Sequence, residues 1–127
     1  MCIRDRLQIG DVHAVMGDGE INRGGGIECR GEVLLRARLV KRSRGFDWIR
    51  LENQDYLMAA ACTPDQREAF ALAARQLITW MTEDFRFTPQ EAYLLLGQVL
   101  ESRCTAYVNP VYTVICKIKR EYLQPKE

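Results

Sequence analysis

The stretch Gly10-Asp11-Val12-His13-Ala14-Val15-Met16-Gly17-Asp18-Gly19-Glu20 carries three acids and the only histidine of the chain within eleven residues. If it is extended, Asp11 and His13 share a face, because strand side chains repeat every two residues. Gly17 and Gly19 bracket Asp18, a pattern suited to a tight turn where backbone approaches an ion or a substrate. Carboxylates with an imidazole form a usable ligand set for a divalent cation. The same groups suit general acid–base work near neutral pH. The plain structural alternative is a polar loop whose acids accept backbone amides, and spacing leaves both readings open.

Other chemistries find less support. No GxxxxGK phosphate loop and no GxGxxG occurs, and Asp11 to Glu20 lacks the twelve-residue frame of an EF-hand. A Ser-His-Asp triad would have to use His13, yet no serine sits in a strand–turn–helix elbow. Cys29 with His13 as its base is conceivable, but a single Cys and a single His carry little information. The five cysteines, Cys2, Cys29, Cys62, Cys104 and Cys116, are odd in number and show no CxxC spacing. Cys29, Cys62 and Cys116 lie in apolar or strand-like surroundings and read as buried free thiols of a reducing cytosol, which makes a cytoplasmic location the expectation. Eighteen basic against seventeen acidic residues leave a formal charge of +1, without the clustered basic excess of a nucleic-acid footprint. No apolar run approaches the roughly 18 residues of a membrane span, and no signal-peptide pattern is visible.

The run GDVHAVMGDGE, followed by Gly26-Ile27-Glu28 and Gly31-Glu32-Val33, resembles the acetamidase/formamidase family of linear-amide hydrolases. Further matching blocks follow in order: Glu52-Asn53-Gln54-Asp55-Tyr56-Leu57-Met58, Glu91-Ala92-Tyr93-Leu94-Leu95-Leu96 and Val108-Asn109-Pro110. Family members are considerably longer, and the first block lies past their midpoint. The resemblance therefore implies that residues 7–124 are the C-terminal part of such a domain, and that the substrate class is small linear amides such as formamide or acetamide. It also implies a homo-oligomer for the full-length enzyme. Residues 1–6 fit nothing that follows and are expected to be a non-native leader.

The elements that must position the Asp11–Glu20 stretch are legible as alternating strand and helix signals. Leu7 to Ile9 leads in as a short strand. Arg23-Gly24-Gly25-Gly26 is a flexible turn, read as a hairpin connection in preference to an anion-binding nest. From Ile27 to Val40, Val33, Leu35, Ala37 and Leu39 alternate with Glu32, Leu34, Arg36 and Arg38, which predicts a long strand. Lys41-Arg42-Ser43-Arg44-Gly45 closes it as a solvated turn. Phe46 to Leu51 restarts the alternation, and Tyr56 to Cys62 predicts a buried strand.

Thr63-Pro64-Asp65-Gln66 is a helix start, with Thr63 as the cap, and the helix is expected to reach about Asp84. Its apolar stripe is Phe70, Ala73, Ala74, Leu77 and Met81, widened by Ile78 and Trp80. Thr88-Pro89-Gln90-Glu91 repeats the signal with a capping box and predicts a second helix to residue 102. Ala92, Leu95, Leu96, Val99 and Leu100 form its apolar side. Strands are predicted at 104–108 and 111–118 around the Asn109-Pro110 turn. Polar Lys119 to Glu127 is expected to fray, residues 125–127 above all. The fold expectation is α+β, a mainly antiparallel, sandwich-like sheet with a two-helix hairpin packed on it.

Metal-assisted amide hydrolysis is the leading mechanism, since a bound cation polarises a poorly electrophilic carbonyl and acidifies a coordinated water. The expected metal ligands are Asp11, His13 and Glu20, around a divalent ion of which zinc is the candidate. The expected catalytic groups are Asp18, Glu20 and Glu28, with Glu28 placed to orient His13. Which acid is ligand and which is base stays open. The alternatives are a cation-stabilised binding or assembly module and a fragment without catalysis.

Overall fold

The computed structural model describes residues 9–39 and 48–123. Strands β1 (His13–Val15) and β2 (Ile27–Glu28) form a small antiparallel pair. The main unit follows: β3 (Ile49–Glu52), β4 (Tyr56–Thr63), α1 (Gln66–Asp84), α2 (Pro89–Val99), β5 (Glu101–Ala106) and β6 (Tyr112–Lys119), then a single 3-10 turn at Arg120–Tyr122. Its four strands are antiparallel in the order β3-β4-β6-β5. The α+β expectation, with a helix pair on an antiparallel sheet, holds.

β4 is central because its sequence, YLMAAACT, can be buried on both faces and paired on both edges. Leu57, Ala59 and Ala61 alternate onto one face, opposite Ile118, Cys116 and Val114 of β6. α1 packs there through Ala69, Ala73, Leu77 and Met81, each fully buried. Alanines on both sides let the helix axis come close to the sheet. The larger Leu57, Leu77, Met81 and Ile118 fill the remaining volume, each contributing roughly 1.5–3 kcal/mol by leaving water. Of the predicted helix stripe, Phe70 lies outside this core, exposed on the helix flank. Arg50 of the edge strand β3 joins Glu83 of α1 at 2.8 Å and lies over the Trp80 ring at 5.3 Å, tying that edge to the helix.

Boundaries shift where a ladder competes with a cap. Thr63 does not cap α1; it is the last residue of β4, opposite Tyr112, and its hydroxyl donates to the Asp65 carbonyl. The cap passes to Asp65, whose carboxylate accepts from the backbone N–H groups of Arg67 and Glu68. Thr88 and Glu91 form the expected reciprocal capping box around Pro89. α2 stops at Val99, short of residue 102, because Glu101 and Ser102 enter the ladder opposite Lys117 and Cys116.

The long strand predicted from Ile27 to Val40 is not formed. Only Ile27–Glu28 pairs, and residues 29–39 are irregular and exposed, Leu34 almost completely. An alternating pattern makes a strand only where another strand accepts its N–H and C=O groups. Here the partner β1 is three residues long and its register shifts between His13 and Val15. Ile9 is likewise outside any strand. The expected leader at 1–6, the basic turn at 41–45, Phe46 and the tail 125–127 lie outside the described residues.

Residues 119–123, where the sequence predicts fraying to start, are held in place. The Arg120 N–H donates to the Asp55 carbonyl at 2.8 Å, its Nε to the Asn53 carbonyl, and its Nη2 meets Glu52 at 2.7 Å. Leu123 is buried against the core. These bonds latch the end of β6 to the β3–β4 turn. That turn is itself shaped by Asn53, whose side-chain oxygen accepts from the N–H groups of Asp55 and Tyr56.

Candidate active site

Of the predicted site residues, Asp11 lies just before β1, and the others occupy β1, β2 and the turn that follows β1. His13 opens β1, and the register places it directly across from Glu28 of β2. Residues opposed in this way have their Cβ atoms about 4.5–5.5 Å apart and project from one face. The pair is secured by the Cys29 N–H donating to the Val12 carbonyl at 2.8 Å. Gly26 supplies the floor: a Cβ there would stand 2.6 Å from Cγ and Nδ1 of the His13 ring. Only a residue without a side chain leaves the imidazole in place.

The turn Gly17-Asp18-Gly19-Glu20 is closed by the Glu20 N–H donating to the Gly17 carbonyl at 3.1 Å. Gly19 takes φ +98°, the left-handed backbone that glycine adopts without strain. Glu20 itself has φ +31° and Asp11 φ +52°. Aspartate tolerates that region; a glutamate held there is the kind of local strain found at functional turns. Glu20 is half-buried, whereas Asp11 and Asp18 are exposed. Asp18 meets Arg103 of β5, its Oδ2 3.1 Å from the guanidinium.

The fold therefore brings His13 and Glu28 together and fixes Asp18 to Arg103. Asp11, His13 and Glu20 do not gather into a metal-sized group: among the described residues no three His, Cys, Asp or Glu side chains are so arranged. A catalytic metal takes three protein ligands as a rule, so the described residues do not by themselves fit one. Arg103 and Gly26 are contributors that sequence spacing missed. Arg103 lies 85 residues from Asp18 and carries no local signal. Gly26 could have been suspected only as a glycine beside a predicted strand end.

Among the described residues the remaining reactive groups do not form a rival site. Cys29, Cys62, Cys104 and Cys116 are free thiols, but only Cys116 of the three expected to be buried is so; Cys62 is half-buried, and Cys29 is exposed because the strand predicted around it does not form. Burial pushes the Cys116 thiol up to about 11, which keeps it protonated and unreactive. A cleft of about 420 Å³ lies between the β3–β4 turn and the end of β6, lined by residues that include Asp55, Tyr56, Lys119 and Arg120. Its basic groups are taken up by ion pairs, Lys119 with Glu121 and Arg120 with Glu52. It contains none of the acids or the histidine of the first stretch. Among the described residues no helix is long and apolar enough to cross a membrane.

An antiparallel sheet with a helix pair on one face, preceded by a short acidic and histidine-bearing hairpin, defines a class of α+β domain rather than an activity. Residues 4–118 match the Acetamidase/Formamidase family, and the chain belongs to it. Among solved structures it is similar to an acetamidase from Yersinia enterocolitica, at 30% identity and a TM-score of 0.70, over 87% of this chain and 33% of that one. It is similar to an acetamidase from Bacillus halodurans at 27% identity and a TM-score of 0.69, over 87% of this chain and 37% of that one. A predicted acetamidase/formamidase from Thermoanaerobacter tengcongensis shares the fold, with a TM-score of 0.68 at 18% identity, over 87% of this chain and 36% of that one. The chain thus spans about a third of the length of these relatives. No curated protein matches it.

Proposed function

We propose that this chain contributes the His13–Glu28 pair and the Asp18–Glu20 turn to the active site of an amidase acting on small linear amides, formamide and acetamide being the simplest. The observation that carries this reading is the opposition of His13 and Glu28 over the Gly26 floor, in a chain that belongs to a family of amide hydrolases. Hydrolysis of an amide adds water to the carbonyl carbon and then breaks the C–N bond, giving a carboxylic acid and ammonia, which separate as carboxylate and ammonium near neutral pH. A proton must leave the attacking water and one must reach the departing nitrogen. An imidazole is the side chain suited to both transfers near neutral pH. Glu28, which the register sets across from His13, would fix the ring's orientation. Asp18 and Glu20 are the carboxylates available to a bound water or amide N–H.

Two thirds of a family-length enzyme lies outside the match, and that part is where the substrate walls and the remaining catalytic donors would come from. A divalent ion belongs to the same proposal, with His13 as this chain's ligand and the others supplied by the part of the enzyme outside the match, since Asp11, His13 and Glu20 do not come together among the described residues. So do assembly into a homo-oligomer and a cytoplasmic location, the latter in keeping with the free thiols. The test is a chimera in which residues 4–118 replace the matching third of the Yersinia enterocolitica acetamidase. Ammonia release from formamide or acetamide, with stoichiometric metal by elemental analysis that falls in the His13→Ala form, is the expected result. A folded chimera that hydrolyses neither amide would overturn the reading.

A further inference from the structure

Three contacts from the end of β5 converge on the Asp18-Gly19-Glu20 turn. Arg103 holds Asp18 at 3.1 Å. The Tyr107 backbone N–H donates to the Gly19 carbonyl at 2.9 Å, beside a parallel bridge between Gly19 and Ala106. The Tyr107 ring also lies against the glycine: a Cβ on Gly19 would stand 3.5 and 3.6 Å from its Cδ2 and Cε2 atoms.

The ring is braced from behind. It meets Tyr112 edge to face, with centroids 5.9 Å apart and planes at 72°. Its hydroxyl accepts from Gln66 Nε2 at 3.3 Å. Gln66 opens α1 and Tyr112 opens β6, so the brace runs from the packed unit out to the turn. Tyr107 and the Arg103–Asp18 pair are about half exposed and stand outside the buried core. Exposed contacts of this kind add little to global stability. What they do is fix where a small turn sits.

We propose that Tyr107 and Arg103 are positioning residues for the amide-hydrolysing site, the ring seating Gly19 and the guanidinium holding Asp18, so that the Asp18 and Glu20 carboxylates are presented in one geometry. The assignment of those carboxylates rests on the function proposed above; the seating itself is measurable without turnover. In the 127-residue chain, amide hydrogen exchange is followed by NMR at Glu20 and along β4.

Tyr107→Ala removes the ring, and the Glu20 amide is expected to exchange about three- to tenfold faster, the range an aromatic contact supports. The β4 amides are expected to keep their rates. Tyr107→Phe, which retains the ring and loses only the hydroxyl, is expected to restore the native Glu20 rate. Arg103→Gln leaves the ring in place and keeps the test open should Tyr107→Ala fail to fold; about a two- to fourfold acceleration is expected from loss of an exposed ion pair. An unchanged Glu20 rate in either truncation, a Tyr107→Phe that behaves like Tyr107→Ala, or equal acceleration throughout β4 would overturn the proposal. Failure of the amidase reading would show separately, as absent ammonia release with the exchange pattern intact.

Discussion

His13 has a definite seat, and the seat has a cost that can be measured. Gly26 has no backbone need of glycine that its φ records, so its requirement comes from the ring 2.6 Å from where a Cβ would be. Gly26→Ala should therefore displace the imidazole while leaving global stability within about 0.5 kcal/mol, as is usual for a surface position. The check is the His13 ring signals in a proton–carbon spectrum beside a urea titration. Ring signals that superimpose on those of the parent would show that the imidazole does not depend on this floor. The acids and the histidine were legible as a group because they fall in one short run. Their supports were not, since Arg103 and Tyr107 come from a strand end more than eighty residues away, and only the fold makes them neighbours.

Helices and strands were legible to the degree that each pattern had a partner to satisfy it. The two helix starts carried caps in sequence, and α2 begins as its capping box predicts. For α1 the cap moves from Thr63 to Asp65 because the β4–β6 ladder holds the threonine. Asp65→Ala should thus cost about 1 kcal/mol, read as a lower urea midpoint at unchanged slope. An unaltered midpoint would return the cap to another residue.

The strand predicted at 27–40 had the right alternation and no ladder, which sequence periodicity cannot foresee. At the start of α2, hydrogen bonds from the Thr88 backbone and hydroxyl hold the Glu91 carboxyl below its ordinary value of 4.5. A lowered value favours the ionised form in the folded state, so this contribution is complete above pH 4.5 and is lost as pH falls through the folded value. Acid unfolding of a Glu91→Gln variant should show a correspondingly flatter pH dependence below that point. A profile that runs parallel to the parent's would remove Glu91 from the acid-sensitive groups.

The described residues form a packed α+β unit with a thinly held, site-bearing hairpin on its flank. Ile21, Ile27, Leu34 and Leu39 are all more than half exposed along that flank. The site residues share this outlying position, which is why their chemistry is proposed as one part of a larger arrangement. The central claim is that His13 works in amide hydrolysis, and it is tested most directly by the rate of ammonia release from acetamide in the acetamidase chimera carrying residues 4–118, with and without His13→Ala. The substitution is expected to lower kcat by on the order of a hundredfold or more, as loss of a proton-transferring group does. A His13→Ala chimera that turns over acetamide at the parent rate would contradict it.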